Sequence, residues 1–496
     1  MKPMRNQLLA ILIVGIFPNV VPLVAQTNSQ IANGVPVANP PAVVSQKVDL
    51  KFSFGPQQLP GYIRVAPDEA YNVERSYGFD LGSKVTRIGR GGKRTGYTTG
   101  ENGKAFFFSA KLVPGAYRVT VTLGGAAGES TTTVKSETRR LMLEVVQAKP
   151  GQLQTRTFLV HLRVPQLPDG TTVRFKPRER DPILVVQWDD QTSVKFTELD
   201  WDDKLTLEFS GSHAALRSVE ITNAKNPVTV YLIGDSTVTD QMMEPWGAWG
   251  QMLPRWFKPP VLIANYAESG ETTASFIGER RWAKLLSEIH AGDYVLMQFG
   301  INDRRIPLEQ FKKYFVRFIE DTRQHGATPV LVTSQNLRKL DENGKAVQTL
   351  DGYPEAMRQV AGEHNVTLID LNAMSMLFYE AVGPEKLPKA FVDGTHQNSY
   401  GAYELAKCVV KGIVKAKLPF AKNLVGDWKP FDPARPDPME EFKLPPDPQL
   451  DPARPGVRRT SQTNTESSAT SPIINPSSTT VTNVPAFQQE KTNSLN

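Results

Sequence analysis

The first part of the chain alternates between apolar and polar residues with a period of two. Between residues 48 and 226, runs such as 117–123 and 158–164 place an apolar side chain at every second position, and Pro-Gly or Asp-Gly dipeptides separate such runs. Alternate side chains of a strand point to opposite faces, so this pattern predicts strands with one buried face. No long helical pattern interrupts them. Residues 48–226 are therefore predicted to form one antiparallel β-sandwich.

The pattern changes after residue 226, where continuous apolar runs alternate with segments of helical period. The predicted strands cover residues 228–233, 262–267, 294–299, 329–333 and 366–371. The predicted helices cover residues 246–257, 275–290, 308–325, 354–364 and 400–417. Short strands that are apolar on both faces indicate a parallel sheet between two helical layers. We therefore predict a three-layer α/β domain over residues 227–427, with its functional residues beyond the carboxyl ends of the strands.

The N-terminus has the composition of a targeting segment. Lys2 and Arg5 precede an apolar run that is interrupted by prolines and ends before Ala25. This pattern predicts a secretory signal peptide over residues 1–25. A membrane anchor is the alternative, but a membrane span needs about 20 uninterrupted apolar residues. The sequence thus predicts a secreted or periplasmic protein without membrane contact after cleavage.

Two further segments are rich in polar residues and proline. Residues 26–47 contain mostly Pro, Ala, Asn and other small or polar residues, and are predicted to form a linker. Residues 428–496 are rich in Pro and Asp, then in Ser, Thr and Asn. Such a composition buries too little apolar surface to fold, so a disordered C-terminal tail is predicted.

Charge and cysteine content exclude several classes of function. The chain of 496 residues has a net charge of +6 and no run of basic residues, so nucleic-acid binding is not expected. A mild positive charge is compatible with an acidic polymer as substrate. Cys408 is the only cysteine, which excludes an intrachain disulfide. Its place in an apolar helical pattern predicts a buried structural thiol. Nothing in the sequence indicates an oligomeric state.

Three predicted strands are each followed by residues that could take part in acyl transfer. Ser236 follows the first strand on a turn that Gly234 permits, so it could be an exposed nucleophile. A polar turn or a helix cap is the alternative for this serine. Gly270 follows the second strand and could offer a backbone N–H to an oxyanion. Asn302 follows the third strand and could donate its amide to the same oxyanion, or could merely stabilise a loop.

A candidate general base precedes the last predicted helix. Of the six histidines, His396 alone combines an aspartate three residues upstream, Asp393, with a loop between a strand and a helix. An aspartate at this spacing can fold back onto the imidazole, fix its tautomer and leave the other ring nitrogen for a serine hydroxyl. The sequence therefore pairs Asp393 and His396 with Ser236.

Together these segments resemble the conserved blocks of the SGNH/GDSL hydrolases, and more specifically the rhamnogalacturonan acetylesterase branch. The stretches that carry the resemblance are Ile233-Gly-Asp-Ser-Thr237, Trp246-Gly-Ala-Trp-Gly-Gln251, Asn265-Tyr-Ala-Glu-Ser-Gly-Glu271, Gly300-Ile-Asn-Asp303 and Asp393-Gly-Thr-His396. One departure is Ile301, where many members of this branch have histidine. The resemblance covers about residues 228–420, and the preceding sandwich resembles the N-terminal domain of two-domain bacterial members.

The resemblance implies a serine esterase that removes O-acetyl groups from pectic rhamnogalacturonan. It implies Ser236 as nucleophile, with Asp393 and His396 completing the triad. The oxyanion hole would consist of the N–H groups of Ser236 and Gly270 and the amide of Asn302. No cofactor and no metal are implied.

The role of the sandwich and the identity of the substrate stay open at this point. The sandwich is predicted to be galactose-binding-like, with carbohydrate binding as one alternative for its role and completion of the active site as the other. Its aromatic residues that could stack on sugars are Tyr62, Tyr77, Trp188 and Trp201. The enzyme could act on another acetylated polysaccharide such as xylan. A carbohydrate-binding protein with an inactive hydrolase domain is the remaining alternative.

Overall fold

The computed structural model describes the sandwich and the α/β region with a few gaps. The described residues are 47–89, 96–125, 128–176 and 199–445, with only the backbone described for 185–187 and 193–195. The predicted signal peptide, the predicted linker up to residue 46, and Trp188 lie outside these residues. Among the described residues, no helix is long and apolar enough to cross a membrane.

The N-terminal region is a β-sandwich whose strands follow the period of two. Tyr117, Val119, Val121 and Leu123 are each at most 1 % exposed, while the residues between them face away from the core. The strands are β1 (Asp49–Ser53), β2 (Ile63–Arg64), β3 (Tyr77–Asp80), β4 (Val85–Ile88), β5 (Tyr97–Gly100), β6 (Phe106–Lys111), β7 (Gly115–Leu123), β8 (Ser130–Ser136), β9 (Arg140–Ala148), β10 (Gln154–Leu162), β11 (Val185–Gln187), β12 (Ser193–Lys195), β13 (Lys204–His213) and β14 (Leu216–Asn223).

Two sheets of the described residues enclose the sandwich core. One has the order β10-β7-β14-β1-β2, with β5 pairing β14 and β4 pairing β5, and the other has the order β3-β6-β13-β8-β9. All these pairs are antiparallel except β1 with β2. Phenylalanines fill the space between the sheets, and the rings of Phe54 and Phe108 lie 4.9 Å apart in an edge-to-face contact.

The C-terminal region contains one parallel sheet of the order β16-β15-β17-β18-β19. Its strands are β15 (Val228–Gly234), β16 (Val261–Asn265), β17 (Tyr294–Gln298), β18 (Thr328–Val332) and β19 (Thr367–Ile369). Its helices are α1 (Trp249–Met252), α2 (Thr273–Gly278), α3 (Arg281–Leu286), α4 (Leu308–Gln324), α5 (Tyr353–Glu363), α6 (Leu371–Lys386) and α7 (Ser399–Lys415). Every residue of β16 and β17 is buried, as two covered faces require.

Helices cover both faces of this sheet. Helices α1, α6 and α7 share one apolar cluster with the strands, and α2 to α5 share another. The predicted three-layer α/β fold with a parallel sheet, preceded by a β-sandwich, is confirmed. In the sheet, β16 lies on one side of β15 and β17 lies on the other side, so the connection after β15 and the connection after β16 run in opposite directions. In this strand order, ligands bind where the connections diverge, beyond the carboxyl ends of β15 and β17.

The sandwich and the α/β region share apolar core residues. Leu141 of β9 belongs to the cluster around α1 and α7, and Leu167, Val173 and Trp201 belong to the cluster around α2 to α5. The described residues from Lys47 onward accordingly belong to one compact unit.

Two predicted helices differ from those observed, and one observed helix was not predicted. Within the predicted helix 246–257, only the short α1 is α-helical. It is followed by a 3₁₀ turn, Leu253–Trp256, which contains Pro254. The predicted helix 275–290 is divided into α2 and α3 at Arg280, whose φ is +67°. The sequence prediction missed α6, whose interior contains Pro384 and a non-helical Gly383.

The predicted disordered tail is wrong for residues 428–445. Phe431 is 6 % exposed, and the Lys407 ammonium of α7 lies 4.3 Å from the centre of its ring. Tyr400 donates a hydrogen bond to the Asp437 carbonyl at 2.8 Å, and Phe442 packs against the same tyrosine. The aromatic residues of this stretch bury enough surface to hold it on α7, although its overall composition is polar. Residues 446–496 lie outside the described residues.

Candidate active site

Ser236 lies just beyond the end of β15, on a turn that the preceding aspartate shapes. One carboxylate oxygen of the fully buried Asp235 accepts hydrogen bonds from the N–H (2.9 Å) and hydroxyl (2.8 Å) of Thr237. Gln298, at the end of β17, donates to the Thr237 hydroxyl at 2.6 Å. These bonds fix the turn against the centre of the sheet. The Ser236 hydroxyl lies 2.9 Å from Nε2 of His396.

The Asp393–His396 loop supplies the other half of the arrangement. Oδ2 of Asp393 lies 2.8 Å from Nδ1 of His396, and Oδ1 accepts the N–H groups of His396 and Thr395, both at 2.7 Å. Partial burial raises the pKa of Asp393, but these hydrogen bonds outweigh it and lower the pKa to about 2. The carboxylate therefore stays ionised and holds a proton on Nδ1, which leaves Nε2 to accept the serine proton.

The loops of Gly270 and Asn302 follow the two strands that flank β15 in the sheet. The Glu268 N–H donates to the Gly234 carbonyl at 3.1 Å, which brings the loop containing Gly270 beside the Ser236 turn. Gly270 has a φ of +73°, a conformation that glycine adopts without strain. Asn302 donates one hydrogen of its amide to the Glu271 carbonyl at 3.0 Å, so its second hydrogen is free for another acceptor.

Asp303 ties the third loop to the second. Its carboxylate accepts the N–H and hydroxyl of Thr273 at 2.8 and 2.7 Å, and the Gly300 N–H at 3.0 Å. Burial raises the pKa of Asp303 to about 6, although the bonds from Thr273 lower it. This carboxylate is the shared acceptor that fixes Asn302 relative to the start of α2.

The arrangement suits nucleophilic catalysis. A serine hydroxyl on one imidazole nitrogen, with a carboxylate on the other, is the geometry that activates serine for attack on a carbonyl. N–H donors from separate loops at the same sheet edge can stabilise the negative charge that such an attack creates. Among the described residues, no group of three or more His, Cys, Asp or Glu side chains could hold a metal ion.

Comparison with known proteins identifies the family of this chain. The model of the GDSL-like Lipase/Acylhydrolase family matches residues 232–402. A rhamnogalacturonan acetylesterase of Bacillus subtilis (strain 168) is 39 % identical over 222 residues, which cover 40 % of this chain and 96 % of the relative. The chain belongs to the GDSL-like lipase/acylhydrolase family. It is therefore a carboxylic ester hydrolase.

Other relatives differ in how much of the chain they match. A rhamnogalacturonan acetylesterase of Emericella nidulans is 27 % identical over 231 residues, covering 40 % of this acylhydrolase and 90 % of the relative. An uncharacterised esterase of Bacillus subtilis is 26 % identical over 384 residues, covering 73 % and 90 %. A crystal structure of a Bacillus subtilis protein has a TM-score of 0.40 at 22 % identity, covering 75 % of this chain and 99 % of that one.

The predicted site residues of this acylhydrolase lie at one edge of the sheet. Ser236, His396 and Asp393 form one continuous hydrogen-bond chain. The loops of Gly270 and Asn302 are joined through Glu271. Their catalytic roles stay predictions that the geometry permits.

Three of the aromatic residues predicted to stack on sugars are described, and each is less accessible than a binding platform requires. Trp201 is 8 % exposed, and the Arg163 guanidinium lies 4.3 Å from the centre of its ring, so this side chain belongs to the core. Tyr77 is half-buried against Phe52. Tyr62 is half-buried and donates a hydrogen bond to Glu220. The departure in the third block, Ile301, is 7 % exposed.

Two supporting groups escaped the sequence analysis. Glu271, between Gly270 and α2, is fully buried and forms ion pairs with Lys176 and with Arg281. Burial raises its pKa to about 7 despite these cations. Gln335, beyond β18, donates a hydrogen bond to the Thr395 carbonyl at 3.1 Å and so supports the histidine loop. Glu271 ends a stretch that the sequence analysis already quoted, but its partners, like the loop that Gln335 contacts, come from distant parts of the chain, so the sequence does not reveal these supporting contacts.

Proposed function

We propose that this protein is a serine carbohydrate esterase that removes O-acetyl groups from pectic rhamnogalacturonan. The observation that carries the proposal is the hydrogen-bond chain from Ser236 through His396 to Asp393, with distances of 2.9 and 2.8 Å. The relatives named rhamnogalacturonan acetylesterase, which are 39 % and 27 % identical, support the substrate. A carbohydrate-binding protein with an inactive hydrolase domain would not need these hydrogen bonds between Ser236, His396 and Asp393.

The proposed reaction is a two-step acyl transfer. Ser236 attacks the acetyl carbonyl while Nε2 of His396 takes the hydroxyl proton, and Asp393 stabilises the imidazolium. The N–H groups of Ser236 and Gly270 and the second amide hydrogen of Asn302 donate to the oxyanion. The tetrahedral intermediate collapses, and the departing sugar oxygen takes the proton from His396, leaving acetyl-Ser236. Water then attacks this ester with the same base and releases acetate.

Positive charge beside the proposed site supports an acidic substrate. Arg304 and Arg305 are both exposed on the 3₁₀ turn Asp303–Arg305, directly after Asn302. Guanidinium groups form bidentate bonds with carboxylates, and rhamnogalacturonan carries one uronate carboxylate per disaccharide. An unsubstituted xylan backbone has no such charge. We also propose that the enzyme is secreted or periplasmic, as its N-terminal sequence predicts.

The decisive experiment compares acetate release from several polymers. Purified protein would be incubated with acetylated rhamnogalacturonan and with an acetylated xylan free of uronic acids, and Ser236→Ala would serve as the control. We expect acetate from rhamnogalacturonan at a rate at least about tenfold higher in kcat/KM, since two guanidinium–carboxylate contacts can supply such a difference. Faster release from xylan would replace the proposed substrate, and release by Ser236→Ala would refute the proposed nucleophile.

Replacing the exposed arginines tests the charge argument separately. The double variant Arg304→Ala/Arg305→Ala should raise KM for acetylated rhamnogalacturonan by about tenfold, with no change in kcat/KM for 4-nitrophenyl acetate. Added salt should weaken wild-type binding of the polymer in the same direction. An unchanged KM for the polymer would show that these arginines do not contact it.

A further inference from the structure

The turn between β8 and β9 of the sandwich has an unfavourable backbone conformation. Glu137 and Arg139 have φ values of +51° and +58°, in the left-handed region that favours glycine. Both residues are buried, at 4 % exposure each. A buried arginine in such a conformation indicates that its side chain makes contacts which a glycine could not replace.

Arg139 reaches from this turn to the loop that carries the proposed nucleophile. One of its guanidinium nitrogens donates to the carbonyls of Gln241 (2.9 Å) and Trp246 (3.0 Å), and the other lies 3.6 Å from Glu244. The Gln241 side chain donates in turn to the carbonyl of Ser236 at 2.5 Å. One residue of the α/β region thus links the sandwich turn to the backbone of the serine.

Arg140 holds the same loop from a second point. It is 2 % exposed and donates to Asp240 at 2.5 Å and to Asp200 at 2.7 Å. The other carboxylate oxygen of Asp240 accepts the Asn265 amide at 2.9 Å, and that amide also donates to the Val238 carbonyl at 2.8 Å. Asn265 ends β16, which leads to the loop of Gly270. The buried pair therefore connects the serine loop to the loop of the oxyanion hole.

We propose that Arg139 and Arg140 are positioning residues of the esterase, so that the sandwich completes the active site. The proposal rests on the proposed function, because it needs Ser236 to be the nucleophile. The loop from Ser236 to Trp246 contains only a few turns between β15 and α1, and the sandwich supplies cationic donors to it. Without them the serine hydroxyl would lose its fixed distance to His396. A misplacement of about 1 Å can lower a rate by about a hundredfold.

A buried ion pair in the same hairpin provides a matched control. Lys135 of β8 lies 3.1 Å from Glu208 of β13, with side-chain exposures of 6 % and 2 %. Both residues belong to the sandwich, where their ion pair joins two neighbouring strands. Lys135→Met removes a buried cation from the same hairpin, so it reproduces the loss of stability without touching the proposed link to the site.

The test measures kcat, KM and melting temperature of full-length variants with 4-nitrophenyl acetate, well below the lowest melting temperature. Arg139→Gly removes the guanidinium while glycine adopts the observed φ freely. We expect its kcat to fall by about tenfold or more, with KM changed by less than about threefold. Arg139→Lys, which keeps the charge and fewer donors, should recover part of the loss. Lys135→Met should keep kcat within about twofold of wild type.

A second variant acts on the link itself without burying an unpaired charge. Gln241→Leu removes the donor to the Ser236 carbonyl from a half-buried side chain and should lower kcat by about threefold or more. A wild-type kcat in both Arg139→Gly and Gln241→Leu would overturn the proposal. An equal loss in Lys135→Met would also overturn it, because the effect would then follow stability alone. Full activity of Ser236→Ala would instead refute the proposed function.

Discussion

Asn302 offers the sharpest test of the proposed oxyanion hole, because its amide has two separable tasks. One amide hydrogen is donated to the Glu271 carbonyl, at an N···O distance of 3.0 Å. The second amide hydrogen has no acceptor among the contacts of the described residues. Asn302→Ala removes a neutral hydrogen bond worth about 1 kcal/mol to the fold. It also removes a transition-state donor worth about 3 kcal/mol, which equals roughly a hundredfold in kcat. The expected result is a slow but stable enzyme.

The assay determines kcat and KM for 4-nitrophenyl acetate together with the melting temperature. We expect kcat to fall by about a hundredfold and KM to change much less, since the oxyanion is absent from the ground state. Asn223→Ala is a matched control, because that asparagine accepts one hydrogen bond, from the Val48 N–H at 2.7 Å, on the sandwich. An Asn302→Ala enzyme with nearly normal kcat and a lowered melting temperature would show that the residue only stabilises its loop.

The other predictions concern the triad and the C-terminal segment. Ser236→Ala and His396→Ala should each abolish turnover of 4-nitrophenyl acetate, and the double variant should be no slower, because members of a catalytic unit are not additive. Asp393→Asn should destabilise the protein at neutral pH, and the difference in melting temperature should shrink as the pH falls from about 4 to about 2, since the lowered pKa of Asp393 stabilises only the ionised form. Phe431→Ala should lower the melting temperature by several degrees, because the variant loses about 3 kcal/mol of packing energy. An unchanged melting temperature would show that residues 428–445 are not held on α7 by this side chain.

The residues of the proposed site could be predicted because each lies in a local signal. Ser236, Gly270 and Asn302 all directly follow apolar strands, and parallel strands bring their carboxyl ends to one edge. Asp393 and His396 are three residues apart, so their contact is itself local. The alternation of the sandwich and the two-sided apolar strands likewise predicted both sheets, since these patterns reflect which faces are buried.

Contacts between distant parts of the chain could not be predicted in the same way. Arg139 and Gln241 are separated by 102 residues, and Arg140 and Asp240 by 100. Two adjacent arginines in a hairpin turn have the composition of an exposed loop, and only the packing of the sandwich on the α/β region buries them. Composition failed for residues 428–445 for a related reason, because an average over many prolines and acids conceals a few aromatic anchors.

The buried pair of Arg140 and Asp240 also limits how this protein can be recombined. A module joined through an exposed linker can be exchanged between proteins without regard to its neighbour. Here a chimaera that inherits Asp240 without Arg140 would bury a carboxylate without its cation, at a cost of about 3–5 kcal/mol, a large part of the stability of most proteins. Sandwich and hydrolase are therefore expected to be inherited together, and grafting either onto a foreign partner would require both positions to be redesigned.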